Sequence, residues 1–295
     1  MKAALWLVAV ALPLAAQPKK LVNAQVDARS AAAGLEKEFR GLETVQPQPA
    51  WIAYTAPAAR TRQFGCDSYW HDGETVIAGG TVHLEPPSEL LVLFRVEGNQ
   101  VGRIRTLAPD CDIDAGGAPF HWLSGVKPAE SVALLSRFAT ASERMSGSAI
   151  TAIALHADAT AEAALDSFVA PDRPEWLRLK AIHWLNRLDR VISLASSDRS
   201  PKVRGQALFW LGQKAGQKAV GVITSAIDND PERDVRRRAV AALRQLPNGE
   251  GIPLLIQVAR TNRDPDVRKQ AMTWLGQSRD LRALAFFEEV LTGKP

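Results

Sequence analysis

From about Pro128 onwards, every apolar pattern along the chain has helical spacing, and the pattern repeats. Val203, Val235 and Val267 stand 32 and 32 residues apart, and Ala207, Ala239, Ala271 and Leu211, Leu243, Leu275 keep the same period. A second set holds that register: Val222 and Ile223, Leu254 and Leu255, Phe286 and Phe287. Within one unit, Val267, Ala271, Trp274 and Leu275 fall at i, i+4, i+7 and i+8, on one helical face, and the small Ala271 lets a neighbouring helix approach. Asp264 is placed to cap that helix, Pro265 suits its first position and Gly276 marks its exit. A second apolar helix follows in each unit. Such a pair cannot bury its apolar face alone, so the pattern predicts stacked helix pairs sharing one core. "PEWLRLKAIHWLNRL" matches at Leu177, Arg178, Ala181, Trp184 and Leu185, but precedes the next unit by only 26 residues. "GSAITAIALHADATAEAALDSFV" reads as a more divergent first unit, giving about five pairs within residues 128–295.

Upstream the period changes. "WIAYT", "TVHLE", "LLVLFRV" and "VGRIRTL" are short aliphatic and aromatic runs separated by Gly, Pro and Asn, and predict strands. "EGNQ" between the last two is a hairpin turn, since Gly98 and Asn99 tolerate positive φ. Residues 51–127 are thus expected to form a small antiparallel β region. From Ala24 to Thr44, Val26, Leu35, Phe39 and Leu42 predict one amphipathic helix, ended by the prolines of "VQPQPA". The expected class is α+β, with a helix and linker over 17–50, the β region, and an all-α solenoid over 128–295.

The first residues add a compartment. Met1-Lys2, an apolar run from Ala3 to Leu12 and then "PLAAQP" form a charged, an apolar and a small-residue region in the order of a signal peptide. The expected cut follows Ala16, with Ala24 as second choice. The run falls short of the roughly 20 residues that span a bilayer. No cysteine follows either site to carry a lipid. The expectation is a soluble protein, periplasmic or secreted in a bacterial envelope, with no transmembrane segment after cleavage. In an oxidising compartment the two cysteines, Cys66 and Cys111, are expected to pair. Free thiols, or a zinc site completed by His71 or His121, are the alternatives.

Residues 201–212, "PKVRGQALFWLG", and 265–276, "PDVRKQAMTWLG", resemble HEAT repeats of the kind found in phycobilin lyases, and the likeness extends over roughly 145–295. It implies a right-handed α-solenoid whose second helices line a concave, protein-binding face. "WIAY", "LLVLFRVEG", "DCDIDAGG" and "PAESVALL" are similar to segments of exported bacterial HEAT-repeat proteins, a likeness that carries no activity with it. On that assignment of faces, Thr224, Ser225, Gln257, Arg260, Glu288 and Glu289 line the groove for an unknown protein partner.

Charge and chemistry narrow this further. Residues 171–295 hold 22 basic against 14 acidic side chains, and residues 17–170 hold 13 against 18. The basic residues of the clear repeats cluster on the first helices, from Lys202 and Arg204 to Arg268 and Lys269, away from the implied groove. Nucleic-acid binding is therefore not expected. Iron-binding relatives of this repeat class use adjacent His-Glu pairs, and none occurs among the five histidines. Asp110, Asp112 and Asp114 have the spacing of the first three calcium-loop ligands, but Ala115 stands where glycine is wanted and His121 where glutamate belongs. Ser146 in "MSGSA" lacks the spacing of a nucleophile elbow. No catalytic activity, cofactor or metal is expected. The alternative is an enzymatic or metal-dependent module around Cys66, His71, Asp112, Asp114 and His121. Arg204, Arg236 and Arg268 each follow a core valine, near loops carrying Asp230 and Asp264, and are expected to form an aspartate–arginine ladder between repeats.

Overall fold

The computed structural model describes residues 20–45, 48–61, 64–66, 68–71, 74–77 and 84–293, with 68–71 and 74–77 as backbone. The expected signal peptide lies outside these residues, as does most of "TVHLE". The chain divides into two compact units, Met1–Ala161 and Glu162–Pro295.

In the first unit β1 (Lys20–Val22) and β2 (Gln25–Ser30) precede α1 (Leu35–Glu43). There follow β3 (Ala50–Pro57), β4 (Ser68–His71), β5 (Glu74–Ile77), β6 (Glu89–Glu97), β7 (Gln100–Leu107), β8 (Asp112–Asp114), β9 (Pro119–Ser124), α2 (Pro128–Ala141) and α3 (Glu143–Leu155). Five strands make one sheet in the order β2-β9-β3-β6-β7. β6 is nearly all buried, which is why "LLVLFRV" is a continuous apolar run rather than an alternating one. The β6–β7 hairpin turns at Gly98 and Asn99, with φ of 58° and 60°, the left-handed pair that a type I′ turn requires.

Three expectations change here. The β3-β6-β7 part is antiparallel, but β9 runs parallel to both β2 and β3, so the sheet is mixed. Residues 25–30, expected to be helical, pair with β9, and the exposed Val26 is no part of the buried stripe of Leu35, Phe39 and Leu42. Helices α2 and α3, both expected within the solenoid and α3 as part of its divergent first unit, belong to the first unit of the structure. Phe138 of α2 packs with Phe39 and Phe94 at ring distances of 5.9 and 5.6 Å, and Arg144 of α3 donates to the Gly102 carbonyl of β7 at 2.8 Å. Apolar sheet surface, not a second repeat, covers these helices.

The second unit contains α4 (Ala159–Phe168), whose first turn precedes the division, α5 (Glu175–Ile182), α6 (Leu188–Ser197), α7 (Pro201–Lys214) and α8 (Gln217–Asn229). α9 (Arg233–Arg244), α10 (Gly251–Thr261), α11 (Pro265–Gln277) and α12 (Leu281–Thr292) complete it. Val203, Ala207 and Leu211 with their counterparts Val235, Ala239, Leu243, Val267, Ala271 and Leu275 are all buried. The close approach of α7 to α9 depends on Gly212, where an added Cβ would lie 2.4 Å from the Ala242 carbonyl oxygen. One repeat on, Arg244 is in register with Gly212, and its guanidinium lies over the Trp274 ring of α11 at 4.7 Å. Small-on-small packing and cation-on-ring packing thus fill the same register position in successive pairs.

Candidate functional site

The ladder runs through the second unit. The Arg204 guanidinium makes two parallel bonds to Asp230, from Nε at 2.7 Å and Nη2 at 2.9 Å, while Nη1 donates to the Asp198 carbonyl at 2.8 Å. Arg236 repeats the arrangement, with Nη1 on the Asp230 carbonyl at 2.9 Å and Nη2 on Asp264 at 3.0 Å. Arg268 keeps only the carbonyl contact, to Asn262 at 2.8 Å. The carbonyl partners fall 32 residues apart, but Asn262 occupies the third aspartate position, so Arg236 takes the carboxylate two residues later, through one N–H. Each aspartate also turns the chain into its helix: Asp230 accepts from the Glu232 amide and Asp264 from the Asp266 amide, both at 2.9 Å. Burial alone would raise the Asp230 carboxyl, but bonds from Arg204 and the Glu232 amide and the charges of Arg204 and Arg236 hold it below the ordinary aspartate value. Asp264 is held low first by the Asp266 amide, then by Arg236. A further rung, absent from the sequence reading, joins Arg178 to Asp198 at 3.3 Å, fully buried. The 26-residue offset of its unit hid it.

The polar residues expected in the groove divide into groups. Thr224 and Gln257 line one small cleft together with Asp228, Thr261 and Asn262. Ser225 lines a neighbouring cleft of about 300 Å³ with Asp198, Arg204, Asn229 and Asp230. A larger one, about 530 Å³, lies at the same C-terminal end of α8, between Asp228, Asn229, Arg236, Asn262 and Asp264. Arg260 of α10 pairs with Glu289 of α12, its guanidinium 5.3 Å from the Phe286 ring, and Glu288 is exposed. Asp228, Asn229 and Asn262 were not anticipated. Their signal was the acid- and amide-rich ends of the second helices, "IDND" and "RTNRD". Among the first-helix cations, Lys202 pairs with Glu175 at 3.2 Å and Arg233 with Asp266 at 2.5 Å.

In the first unit the chemistry-bearing side chains go separate ways. Cys66 and Cys111 are joined as a disulfide, with Cα atoms 5.2 Å apart. Asp112 pairs with Lys20 at 3.0 Å. Asp114 accepts from the Asn23 amide and the Gly116 N–H. His121 meets Asp27 at 3.1 Å. The His71 side chain lies outside the described residues, and among the described residues no group of three or more His, Cys, Asp or Glu could hold a metal ion.

A buried polar chain links β3, α2 and α3. His156 Nδ1 lies 2.7 Å from the Ala152 carbonyl, which can only accept, so Nδ1 carries the proton and Nε2 accepts from the Ser131 hydroxyl at 2.8 Å. Ser131 in turn accepts from Tyr54 at 2.7 Å. All three are buried. The chain therefore satisfies the interior rather than facing a substrate. Burial holds the imidazole below the ordinary value of 6.5, against the opposing influence of the Ala152 bond and Asp158. A depressed pKa means that the unfolded chain binds the proton more readily, so this stability is complete above pH 6.5 and lost as the pH falls below it. Between pH 7 and 5 the native protein should lose stability with a component of up to about 1.4 kcal/mol per pH unit that His156→Gln lacks. Urea midpoints across that range measure it, and equal slopes in the two proteins would contradict it.

Helix pairs at a 32-residue period, cross-linked rung by rung, define the second unit as an α-helical repeat array. Residues 188–247 and 222–295 match the family model for HEAT repeats, and this part of the chain is a HEAT-repeat array. No curated protein matches the chain. Among the described residues no helix is long and apolar enough to cross a membrane.

Proposed function

We propose that the protein is an exported scaffold that captures a protein partner on the second-helix surface of its HEAT repeats, without catalysis of its own. The observation that carries this reading is the pair of exposed polar positions at matching register on successive second helices, Ser225 with Gln257 and Asp228 with Arg260; Glu289, in register with the first pair, is half-buried and holds Arg260. Clefts bordered by carboxylate, amide and guanidinium groups suit an extended polar segment of a partner chain. A protein partner is favoured over nucleic acid because Lys202, Arg204, Arg233 and Arg236 are already engaged by neighbouring carboxylates. Export is supported by the pattern of residues 1–16 and by the disulfide. Cleavage after Ala16 is favoured over Ala24 because the later cut would remove β1, the partner of β8. The enzymatic alternative has less support, since Cys66, Asp112 and Asp114 are committed to other partners.

Crosslinking capture from a bacterial envelope fraction, with the full mature chain as bait, tests the scaffold reading. Ser225→Arg with Gln257→Arg should reduce recovery of the partner about tenfold or more while leaving the helical content unchanged. Equal recovery by bait and variant would overturn it.

A further inference from the structure

The charge of the repeat array is segregated between the two helices of each pair. The first helices α7, α9 and α11 carry ten basic and two acidic residues, whereas the second helices α8, α10 and α12 carry three of each. The excess of eight on those first helices equals the whole excess of residues 171–295. Carboxylates discharge part of it, since Lys202, Arg204, Arg233 and Arg236 each hold one. The other arginines of α9 are held by packing. Arg238 lays its stem across Gly205 of α7, where an added Cβ would lie 2.4 Å from its Cδ, and Arg244 sets its guanidinium over the Trp274 ring of α11. By helical spacing Arg237 falls between them on the outer arc of α9. All three are exposed, and no carboxylate pairs with them among the described residues. Helices α7 and α11 pack on α9 from either side, so this face is open through its register in the repeat and not through a place at the end of the array. Lys269, exposed on α11, repeats the position of Arg237. Packing on glycine and tryptophan fixes the stems without discharging the guanidinium groups, which leaves positioned cations in want of an anion.

From this we infer that the outer face of the first helices docks on the phosphates of an anionic lipid surface. Arg238 reaches over α7, Arg237 stays on α9 and Arg244 reaches over α11, where Lys269 joins them. The cations thus form a two-dimensional set of points, which matches a layer of headgroups better than the single track of one nucleic-acid backbone. Three of the four are arginines, whose planar fork can hold two phosphate oxygens at once. None of the four borders the clefts described above. A protein anchor or a small molecule wants a shaped recess, whereas headgroups need only charge at the surface. Docking therefore does not depend on the second-helix clefts, and either could fail without the other.

Co-sedimentation of the full, disulfide-bonded chain with vesicles tests the inference. Binding is expected to vesicles of phosphatidylcholine with about 30 % phosphatidylglycerol, and not to phosphatidylcholine alone. It should fade as salt rises from about 0.05 to 0.5 M and the screening length shortens. One basic side chain near an anionic surface is worth roughly fivefold in affinity, so the charge reversal Arg237→Glu should weaken binding by roughly 25-fold. Adding Lys269→Glu should abolish it. Both side chains are exposed, and the helical signal should not change. Lys218→Glu, exposed on the second helix α8, alters the net charge as much as Arg237→Glu and should leave binding within about twofold. Three outcomes would overturn the inference: no preference for the anionic vesicles, a Lys218→Glu defect as large as that of Arg237→Glu in folded proteins, or tighter binding at the same salt to a DNA duplex of about 20 base pairs.

Discussion

Replacing Arg178 by methionine should destabilise the repeat array by about 3–5 kcal/mol, the cost of leaving a buried carboxylate without its cation. Arg178 and Asp198 have side chains only 1 % and 2 % exposed, and water cannot reach in to replace the lost charge. The guanidinium also holds the Pro171 carbonyl at 3.1 Å, and Asp198 starts the following helix by accepting from the Ser200 amide at 2.8 Å. Asparagine can keep that amide bond without the charge. The double variant Arg178→Met with Asp198→Asn should therefore be more stable than Arg178→Met alone, by roughly 1 kcal/mol or more. Urea unfolding followed by far-UV circular dichroism reads both quantities. A single-variant cost below about 1 kcal/mol, or strict additivity of the two changes, would show that the rung is not the buried pair described. Arg282 and Asp280 provide the contrast. Hydrogen bonds from Arg282, first its side chain and then its amide, bring the Asp280 carboxyl to about 2, yet the pair is open to solvent and its loss should hardly move the midpoint.

What could be read from residues alone followed from how local the signal was. The 32-residue period was legible because each repeat must present the same stripe of valine, alanine and leucine to its neighbours, and that demand is written within one helix. The Gly98-Asn99 hairpin was legible for the same reason. Strand β2 was not, because its partner β9 lies about 95 positions away and its side chains, from Gln25 to Ser30, show no alternation that a buried face would impose. The β4–β5 pairing was overlooked although Asp72-Gly73 between the two strands is a strong hairpin signal. The helix α2 was read correctly as a helix and assigned to the wrong neighbour, since apolar spacing tells which face is buried and not what buries it. The candidate site divides along the same line. Arg204, Arg236 and their aspartates share a period, but the clefts beside them arise from how successive helix ends meet, and Asp228, Asn229 and Asn262 become neighbours only through that stacking.

Reducing the Cys66–Cys111 bond, or replacing both cysteines by alanine, should cost the first unit about 4 kcal/mol while leaving the repeat array nearly unchanged. The two residues are 45 positions apart, and a closed loop of that size removes a large share of the unfolded chain's freedom. The bridge also has a local task. It ties the segment before β4 to the turn after β7, where Ala108 N–H bonds the Gly65 carbonyl at 3.4 Å and Cys111 N–H bonds the Ala108 carbonyl at 3.2 Å. Among the described residues β4 and β5 pair with each other, outside the five-stranded sheet, and the covalent link lies two residues before β4. Hydrogen exchange with and without reductant, read separately for peptides of the sheet strands β3, β6 and β7 and for peptides of α5–α12, should show protection falling in the first set and holding in the second. Equal stability of oxidised and reduced protein would remove the reason to connect this fold with an oxidising compartment. A loss of about 4 kcal/mol from a domain stable by 5–15 would instead make that compartment a condition for keeping the sheet folded, giving the signal-like residues 1–16 a structural consequence.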